Sequence, residues 1–235
     1  MAGLSTRRSI TRTSFDMGIE IDLLKNYPRA SRNLDLRNRE KTDEDRAVAR
    51  QFGQEFFDGD RRHGYGGFSY DPRYWQPVVP TFQEFYGLTG DHALLDIGCA
   101  KGFMLKDFRE AISGLTVAGI DVSEYAISSA VDGMEDVVQV ADARDLPFED
   151  NSFDLVVSVN TLHNFERAGV VQALREVQRV SRRWSFVVLD AFRDEEERRR
   201  IEAWNLTALT VLSTDEWLEL FVEAGYTGDY FWFIP

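Results

Sequence analysis

The chain has 235 residues, of which 43% are hydrophobic, so it can fill one α/β core but is short for two full domains. Its net charge at pH 7 is −13, and the residues after position 50 carry 16 Lys and Arg against 32 Asp and Glu, which disfavours binding to a nucleic-acid backbone. The single cysteine excludes an internal disulfide, and the absence of a long apolar run or secretory segment predicts a cytoplasmic protein that does not enter membranes.

The first 88 residues are predicted to form an N-terminal arm and a cover for the rest, residues 89 to 235. Residues 1 to 40 are polar and favour a mobile tail or an arm on a partner, with disorder expected for 1 to 15. A helix is expected from Thr42 to near Gly59. Eleven of the 30 aromatic residues lie between Phe52 and Tyr86, too many for a solvated linker, so this region is expected to cover something.

The remaining chain alternates between strand and helix patterns. Strands are predicted at about 93–97, 116–120, 137–140, 153–159 and 185–190, with helices at 103–113, 123–131 and 167–181 between them. This alternation predicts an α/β fold, a Rossmann-like doubly wound and mainly parallel sheet with helices on both faces. Residues 193–204 are expected to form a solvated helix and 213–225 a capped helix, followed by a strand at 230–234, with 205–212 as a candidate further strand.

The segment Leu-Leu-Asp-Ile-Gly-Cys-Ala-Lys-Gly-Phe, residues 94 to 103, carries the main chemical signal. Small residues alternate at Gly98, Ala100 and Gly102, so the backbone there can approach a ligand and present N–H groups at a helix start. A second apolar strand ends in Asp121, whose carboxylate is placed to bind two ribose hydroxyls. The spacing differs from that of dinucleotide sites, and an ordinary turn between strand and helix is the alternative.

These motifs resemble the class I S-adenosylmethionine-dependent methyltransferases, in which an acidic residue precedes alternating glycines and the second strand ends in a ribose-binding acid. The resemblance covers roughly residues 93 to 226 and implies S-adenosylmethionine as the cofactor. Ala100 stands where the family has glycine. The family also usually ends with an antiparallel hairpin, whereas only one strand is clear after the last helix here.

The resemblance implies a role for each motif residue. Gly98, Ala100 and Gly102 would form the floor of the cofactor pocket, while Asp96 anchors the loop or the cofactor's ammonium group. Asp121 would bind ribose, although it could instead cap the next helix, a role that Ser123 can fill. The side chains and backbone expected around adenine and along the fourth strand are Val122, Asp142, Ala143, Asn160 and either Thr161 or Leu162.

His163 is the candidate catalytic residue, as a general base that accepts a hydroxyl proton during methyl transfer. The alternative is that it only packs or holds a backbone carbonyl. Tyr70 and Arg73 offer a hydroxyl and a guanidinium that could bind a carboxylate of the cofactor or the substrate. The alternative is that they only pack the N-terminal arm against the sheet. Neither the three histidines nor the cysteine has metal-ligand spacing, so no metal is predicted.

Arg61, Arg62 and His63 form a basic cluster in an otherwise acidic region, which indicates an anionic substrate. The Gly-Tyr-Gly-Gly-Phe segment at 64–68 is similar to methyltransferases of bacterial capsule and sugar pathways. The sequence therefore predicts O-methylation of a small polar, anionic acceptor such as a sugar, nucleotide-sugar or phosphorylated compound, by a protein that forms a homodimer. One alternative is a cofactor-binding but catalytically silent partner or regulatory subunit. Another is a short dehydrogenase, but this sequence has no Tyr-x-x-x-Lys pair to support it.

Overall fold

The computed structural model describes residues 17–28, 41–64 and 69–235. The predictions for residues 1–16 and 29–40 and for the glycine-rich stretch 65–68 lie outside these residues. Within the described ranges no helix is both long and apolar enough to cross a membrane.

The core is a sheet of seven strands in which every pairing is parallel. Its order is β3-β2-β1-β4-β5-β7, and the short β6 pairs with the last two residues of β5. The order reverses between β1 and β4, so a crevice forms at the carboxyl ends of the strands there. The strands are β1 (Ala93–Ile97), β2 (Thr116–Asp121), β3 (Val138–Val140), β4 (Phe153–Val159), β5 (Ser181–Phe192), β6 (Leu212–Ser213) and β7 (Asp229–Phe233).

Helices cover both faces of the sheet, which confirms the doubly wound, Rossmann-like fold. The helices are α1 (Asp43–Ala49), α2 (Gln54–Phe57), α3 (Pro72–Trp75), α4 (Val79–Tyr86), α5 (Phe103–Ala111), α6 (Glu124–Ser128), α7 (Arg167–Val180), α8 (Glu195–Trp204) and α9 (Thr214–Ala224), with a 3-10 turn at Leu162–Asn164. Successive residues of β1 point to opposite faces of the sheet: Leu95 packs in the hydrophobic cluster that contains α7 and α9, and Leu94 in the cluster that contains α4 and α5.

The predicted helix from Thr42 to Gly59 is two helices. Thr42 does begin α1, with a reciprocal capping box to Asp45. The chain then breaks at Phe52, whose φ of 48° lies in the left-handed region. The carbonyl of Phe52 accepts a hydrogen bond from the Ser123 hydroxyl, so a contact with the start of α6 replaces a helical one. This contact places α2 above the cofactor motif.

The expected antiparallel hairpin at the end of the chain is not formed by the described residues. β7 instead runs parallel to β5, and of the candidate strand at 205–212 only Leu212 lies in a strand, the two-residue β6. The buried Asp229 at the start of β7 accepts hydrogen bonds from the Ile19 N–H and the Tyr86 hydroxyl. Glu20 bridges to Tyr230 in parallel, so the N-terminal segment lies beside β7.

Candidate functional site

A cavity of about 1230 Å³ lies at the carboxyl ends of the strands, from β2 across to β7. Single small-molecule sites occupy roughly 300–1,000 Å³, so this cavity has room for a cofactor and a second molecule. Eight of the predicted site residues line it: Gly98, Ala100, Asp121, Val122, Ala143, Asn160, His163 and Arg73. The other five, Asp96, Gly102, Asp142, Leu162 and Tyr70, do not.

The loop after β1 holds its shape through backbone bonds and left-handed residues. The N–H groups of Gly98 and Cys99 both donate to the Ile120 carbonyl, at 2.8 and 2.9 Å. Gly98 has a φ of 83°, and a Cβ there would overlap the Thr161 side chain. Ala100 is also left-handed, at φ 49°, which explains why glycine suits this position in the family.

Gly102, predicted to form part of the pocket floor, has a different position. It precedes the first residue of α5 with a φ of 80°, and a Cβ there would come within 3.2 Å of Met134. This residue therefore allows α5 to pack closely against Met134 and does not line the cavity.

Asp121 is fixed at the cavity wall by two backbone groups. Its carboxylate oxygens accept from the N–H groups of Ala100 and Ser123, both at 2.9 Å. Ser123 caps α6 by accepting from the Ala126 N–H, so Asp121 is not needed as that cap. Burial raises the pKa of Asp121. The neighbouring Val122 is 56% exposed and offers an apolar surface at the rim of the cavity.

Asp96 lies two residues before Gly98 in the sequence, and its side chain is buried, with the residue 4% exposed. Among the described residues its carboxylate has no hydrogen-bond partner, and burial and the charge of Asp121 raise its pKa to about 8. A buried charge without a partner is costly, so the carboxylate form of Asp96 needs a nearby cation. The ammonium and sulfonium charges of S-adenosylmethionine are of the sign that this position requires.

The raised pKa of Asp96 predicts a pH-dependent stability of the cofactor-free protein. The unfolded chain loses this proton near pH 4 and the folded chain near pH 8, so the folded state binds more protons between these values. The contribution of Asp96 to the free energy of unfolding is therefore greatest below about pH 4 and is lost as the pH rises through about 8. Urea unfolding at pH 5, 6.5 and 8 measures it, and Asp96→Asn should remove this part of the slope.

Asp154 provides the control because it is another buried aspartate with the opposite shift. Burial raises its pKa, but the hydrogen bonds from Arg182 and from the Ala93 N–H, together with the charge of Arg182, outweigh this and hold the pKa below its usual value. Asp154→Asn should therefore change stability by the same amount at all three pH values. If Asp96→Asn behaves like Asp154→Asn, the raised pKa of Asp96 is contradicted.

Asp142 and Leu162 do not line the cavity. The Asp142 carboxylate pairs with Arg144 in its own loop, at 2.5 Å, and hydrogen bonds from Arg144 hold the pKa of Asp142 below its usual value. Ala143 lines the cavity in its place. Leu162 is fully buried in the hydrophobic core, because the 3-10 turn directs it inward, and Thr161 lines the cavity instead.

His163 lines the cavity and is 3% exposed. Its Nδ1 accepts from the backbone N–H of Asp190 at 3.1 Å, and the Asp190 carboxylate lies 3.8 Å from the same atom. Burial lowers the pKa of His163 and raises that of Asp190. Because Nδ1 accepts, the hydrogen-bond network assigns the proton to Nε2. His163 therefore presents a donor, and this geometry disfavours the predicted role as a general base.

Tyr70 is held away from the cavity. Its hydroxyl donates to the Asp107 carboxylate on α5 at 2.6 Å, so it is not placed to bind a carboxylate of the cofactor or substrate. Burial and the hydrogen bond to Asp107 together raise the pKa of Tyr70 to about 12. Arg73 does line the cavity, with its Nε 2.9 Å from Asp71.

Two of the three basic side chains at 61–63 are paired with nearby carboxylates. Arg62 lies 3.7 Å from Asp60, and His63 lies between the carboxylates of Asp45 and Glu55, at 3.2 and 3.4 Å. Arg61 lines the cavity. Arg61 is therefore the one residue of this cluster that is placed to bind an anionic substrate in the cavity.

Two features of the site were not predicted. Lys101, in the loop after β1, is bound at 2.6 Å by both carboxylate oxygens of Asp58, which follows α2. Tyr125 donates to the same carboxylate. No sequence spacing indicates this link between the N-terminal helices and the cofactor loop. The second feature is a large number of aromatic rings around the cavity, for which the aromatic content of residues 52–86 was a partial signal.

Comparisons with known proteins support the resemblance to methyltransferases. Residues 95–189 match the family model described as "Methyltransferase domain". The chain is 31% identical over 175 residues to the 27-O-demethylrifamycin SV methyltransferase of Amycolatopsis mediterranei, covering 65% of this chain and 64% of that protein. It is 35% identical over 80 residues to the mitochondrial arginine-hydroxylase NDUFAF5 of Rattus norvegicus, covering 33% of this chain and 23% of that protein.

The crystal structure of the YcgJ protein from Bacillus subtilis has the same fold, with a TM-score of 0.51, 22% identity, and coverage of 62% of this chain and 66% of that one. In the part of the chain that the structure describes, no group of three His, Cys, Asp or Glu could hold a metal ion. Residues 95–189 thus belong to the class I S-adenosylmethionine-dependent methyltransferase domains, and S-adenosylmethionine is the cofactor that their loop and acidic residues fit.

Proposed function

We propose that this protein transfers a methyl group from S-adenosylmethionine to an oxygen atom of a small acceptor that carries a negative charge. The observation that carries the proposal is the extent of the cavity, which continues past the cofactor motif to the ends of β5 and β7. A catalytically silent partner or regulatory subunit would need no such second volume. The Amycolatopsis relative, whose name describes a methyltransferase of 27-O-demethylrifamycin SV, supports an oxygen acceptor.

The chain's own residues supply binding and alignment in this proposal. Asp121 would accept hydrogen bonds from the ribose hydroxyls with the lone pairs that its two backbone contacts leave available. Arg61 and Arg73 would attract the acceptor's negative group. When bound, the cofactor supplies a methyl group already activated by a sulfonium sulfur, so alignment of the acceptor accounts for much of the catalysis.

His163 would hold the acceptor oxygen through its Nε2–H. A hydrogen bond of this kind contributes about 1 kcal/mol, or roughly a fivefold to tenfold effect on rate. It would direct a lone pair of an acceptor oxygen that is already ionised toward the methyl group, so that the new bond neutralises the oxygen and no proton has to be removed.

The proposal is tested with S-adenosylmethionine that carries a tritiated methyl group. Transfer of the label is measured on a panel of hydroxyl and carboxyl acceptors. With an acceptor that is methylated, His163→Ala should lower kcat by about tenfold. His163→Gln, whose amide retains a donor, should lie closer to wild type, and the pH profile from 6 to 9 should keep its shape. S-adenosylhomocysteine affinity should be unchanged in both variants, which shows that they are folded.

His92→Ala is the matched control, because His92 is also buried but lies before β1, away from the cavity. A loss of about 100-fold or more in both His163 variants, together with loss of the acidic limb of the pH profile, would instead establish a general base. Absence of methyl transfer to every acceptor, in a protein that binds S-adenosylhomocysteine, would favour the silent partner.

A further inference from the structure

The segment from residue 42 to residue 64, which contains α1 and α2, lies over the cofactor motif. We call it the cover segment. Three of its side chains line the same cavity as Ala100 of the cofactor loop, namely Phe52, Phe56 and Phe57. A molecule bound at the cofactor motif therefore has the sheet on one side and the cover segment on the other.

The cover segment does not take part in the two hydrophobic clusters of the core. None of the described residues 42 to 64 belongs to the cluster that contains α7 and α9 or to the one that contains α4 and α5. Its rings pack on one another, with centroids 5.3 Å apart for Phe52 and Phe56 and 4.9 Å apart for Phe56 and Phe57. A segment with few buried apolar contacts to the core can open locally while the rest of the protein stays folded.

Asp58, which follows α2, joins the cover segment to the cofactor loop. Both of its carboxylate oxygens accept hydrogen bonds from the Lys101 Nζ at 2.6 Å, and one of them also accepts from the Tyr125 hydroxyl at 2.6 Å. The Phe57 ring stacks on the Tyr125 ring, with centroids 6.5 Å apart. The lysine side chain is 9% exposed and the aspartate side chain 25%, so solvent screens this ion pair less than it screens an exposed one.

Lys101 carries this attachment into the cofactor loop itself. It directly follows Ala100, whose N–H donates to Asp121. A second contact reaches the end of β2, because the Ser123 hydroxyl donates to the Phe52 carbonyl. The cover segment is therefore bonded to both of the turns that form the cofactor motif.

These bonds bear on how the cofactor moves in and out of the site. S-adenosylmethionine has to enter this space before the reaction, and its demethylated product has to leave afterwards. Charge-assisted hydrogen bonds such as those of Asp58 are roughly twice as strong as neutral ones, so they add to the cost of lifting the cover segment. Because each bond joins two groups of the chain, none of them needs a ligand atom to form.

We propose that Asp58 is a positioning residue that, through Lys101 and Tyr125, holds the cover segment closed over S-adenosylmethionine and limits the rate of cofactor exchange. The cover segment is then a lid, and Asp58 is its latch. The inference depends on the cofactor and not on the nature of the acceptor, so it goes beyond the proposed function. A latch that closes the site before and after binding changes the rates of entry and release more than it changes affinity.

The test uses the full chain and S-adenosylhomocysteine, with association and dissociation rate constants measured by surface plasmon resonance on the immobilised protein. Asp58→Ala should raise both rate constants at least tenfold, which corresponds to about 1.4 kcal/mol, and should change Kd less than threefold. Tyr125→Phe, which keeps the ring that stacks on Phe57 but loses one hydrogen bond, should raise both about threefold. Amide hydrogen exchange should become faster in α1 and α2 of Asp58→Ala and stay unchanged in β4.

Asp60→Ala is the matched control, because Asp60 lies two residues from Asp58 but pairs within the cover segment, with Arg62 at 3.7 Å. Its rate constants should equal those of wild type. Unchanged rate constants in Asp58→Ala and Tyr125→Phe, or an equal rise in Asp60→Ala, would overturn the inference. Loss of affinity with an unchanged association rate constant would also overturn it, because Asp58 would then only support the shape of the cofactor loop.

Failure of the wild-type chain to bind S-adenosylhomocysteine at all would overturn the cofactor assignment, and this inference with it. Tight binding with rate constants that do not respond to Asp58 would overturn the latch alone. The two failures are therefore distinguishable.

Discussion

Asp121→Ala is expected to weaken the binding of S-adenosylhomocysteine by about 100-fold or more. Each hydrogen bond from a ribose hydroxyl to a carboxylate contributes about 1.5–3 kcal/mol, and two of them correspond to at least this change in Kd. The variant also loses the acceptors for the N–H groups of Ala100 and Ser123, so the loop is no longer held in its binding conformation. Isothermal titration calorimetry of wild type and variant measures the effect.

Asp121→Asn separates shape from charge in the same experiment. The amide has nearly the size of the carboxylate, but its NH2 group would meet one of the two backbone N–H donors, at Ala100 or Ser123. We therefore expect a loss of affinity close to that of the alanine variant. Asp145→Asn, at an exposed loop position, is the control and should bind as wild type does. Wild-type affinity in both Asp121 variants would contradict the assignment of the ribose site.

Gly98→Ala is expected to lower the free energy of unfolding by about 2–5 kcal/mol and to abolish measurable cofactor binding. Left-handed backbone costs a residue with a Cβ about 1–2 kcal/mol, and overpacking costs about 1–3 kcal/mol more. Both terms apply because Gly98 has a φ of 83° and its added Cβ would overlap the Thr161 side chain. Urea unfolding of the cofactor-free proteins measures the change.

Gly87→Ala is the matched control for backbone strain alone. Gly87 ends α4 with a φ of 65°, but a Cβ there would meet nothing within 4 Å. We expect a cost of about 1 kcal/mol and unchanged cofactor binding. Adding Thr161→Gly to Gly98→Ala should recover part of the lost stability, because it removes the overlapping side chain. Equal costs for Gly98→Ala and Gly87→Ala would show that the close approach to Thr161 is not important.

The sequence predicts the fold well where the signals are local. Short apolar strands, a glycine-bearing turn and capped amphipathic helices each specify their own conformation, and their alternation leaves a parallel sheet as the expected arrangement. Gly98, Ala100 and Asp121 were found for the same reason, because a tight turn and the end of a strand determine where they lie.

The errors occur where a distant contact decides the outcome. Phe52 breaks a predicted helix because its carbonyl binds Ser123, which is 71 residues away. Tyr70 was expected at a ligand but binds Asp107, and no periodicity in the sequence indicates that pair. The N-terminal segment bonds to Tyr230 of β7 from about 210 residues away, and no local pattern in the sequence indicates that contact.

The wild-type arm of the calorimetric experiment tests the central claim most directly, namely that the turn after β1 and the acid at the end of β2 form one site for S-adenosylmethionine. Titration of the full chain with S-adenosylhomocysteine should give a single site with micromolar or tighter affinity, and NAD should give no binding heat. Binding of NAD in its place, or no heat with either S-adenosylhomocysteine or S-adenosylmethionine, would contradict the account.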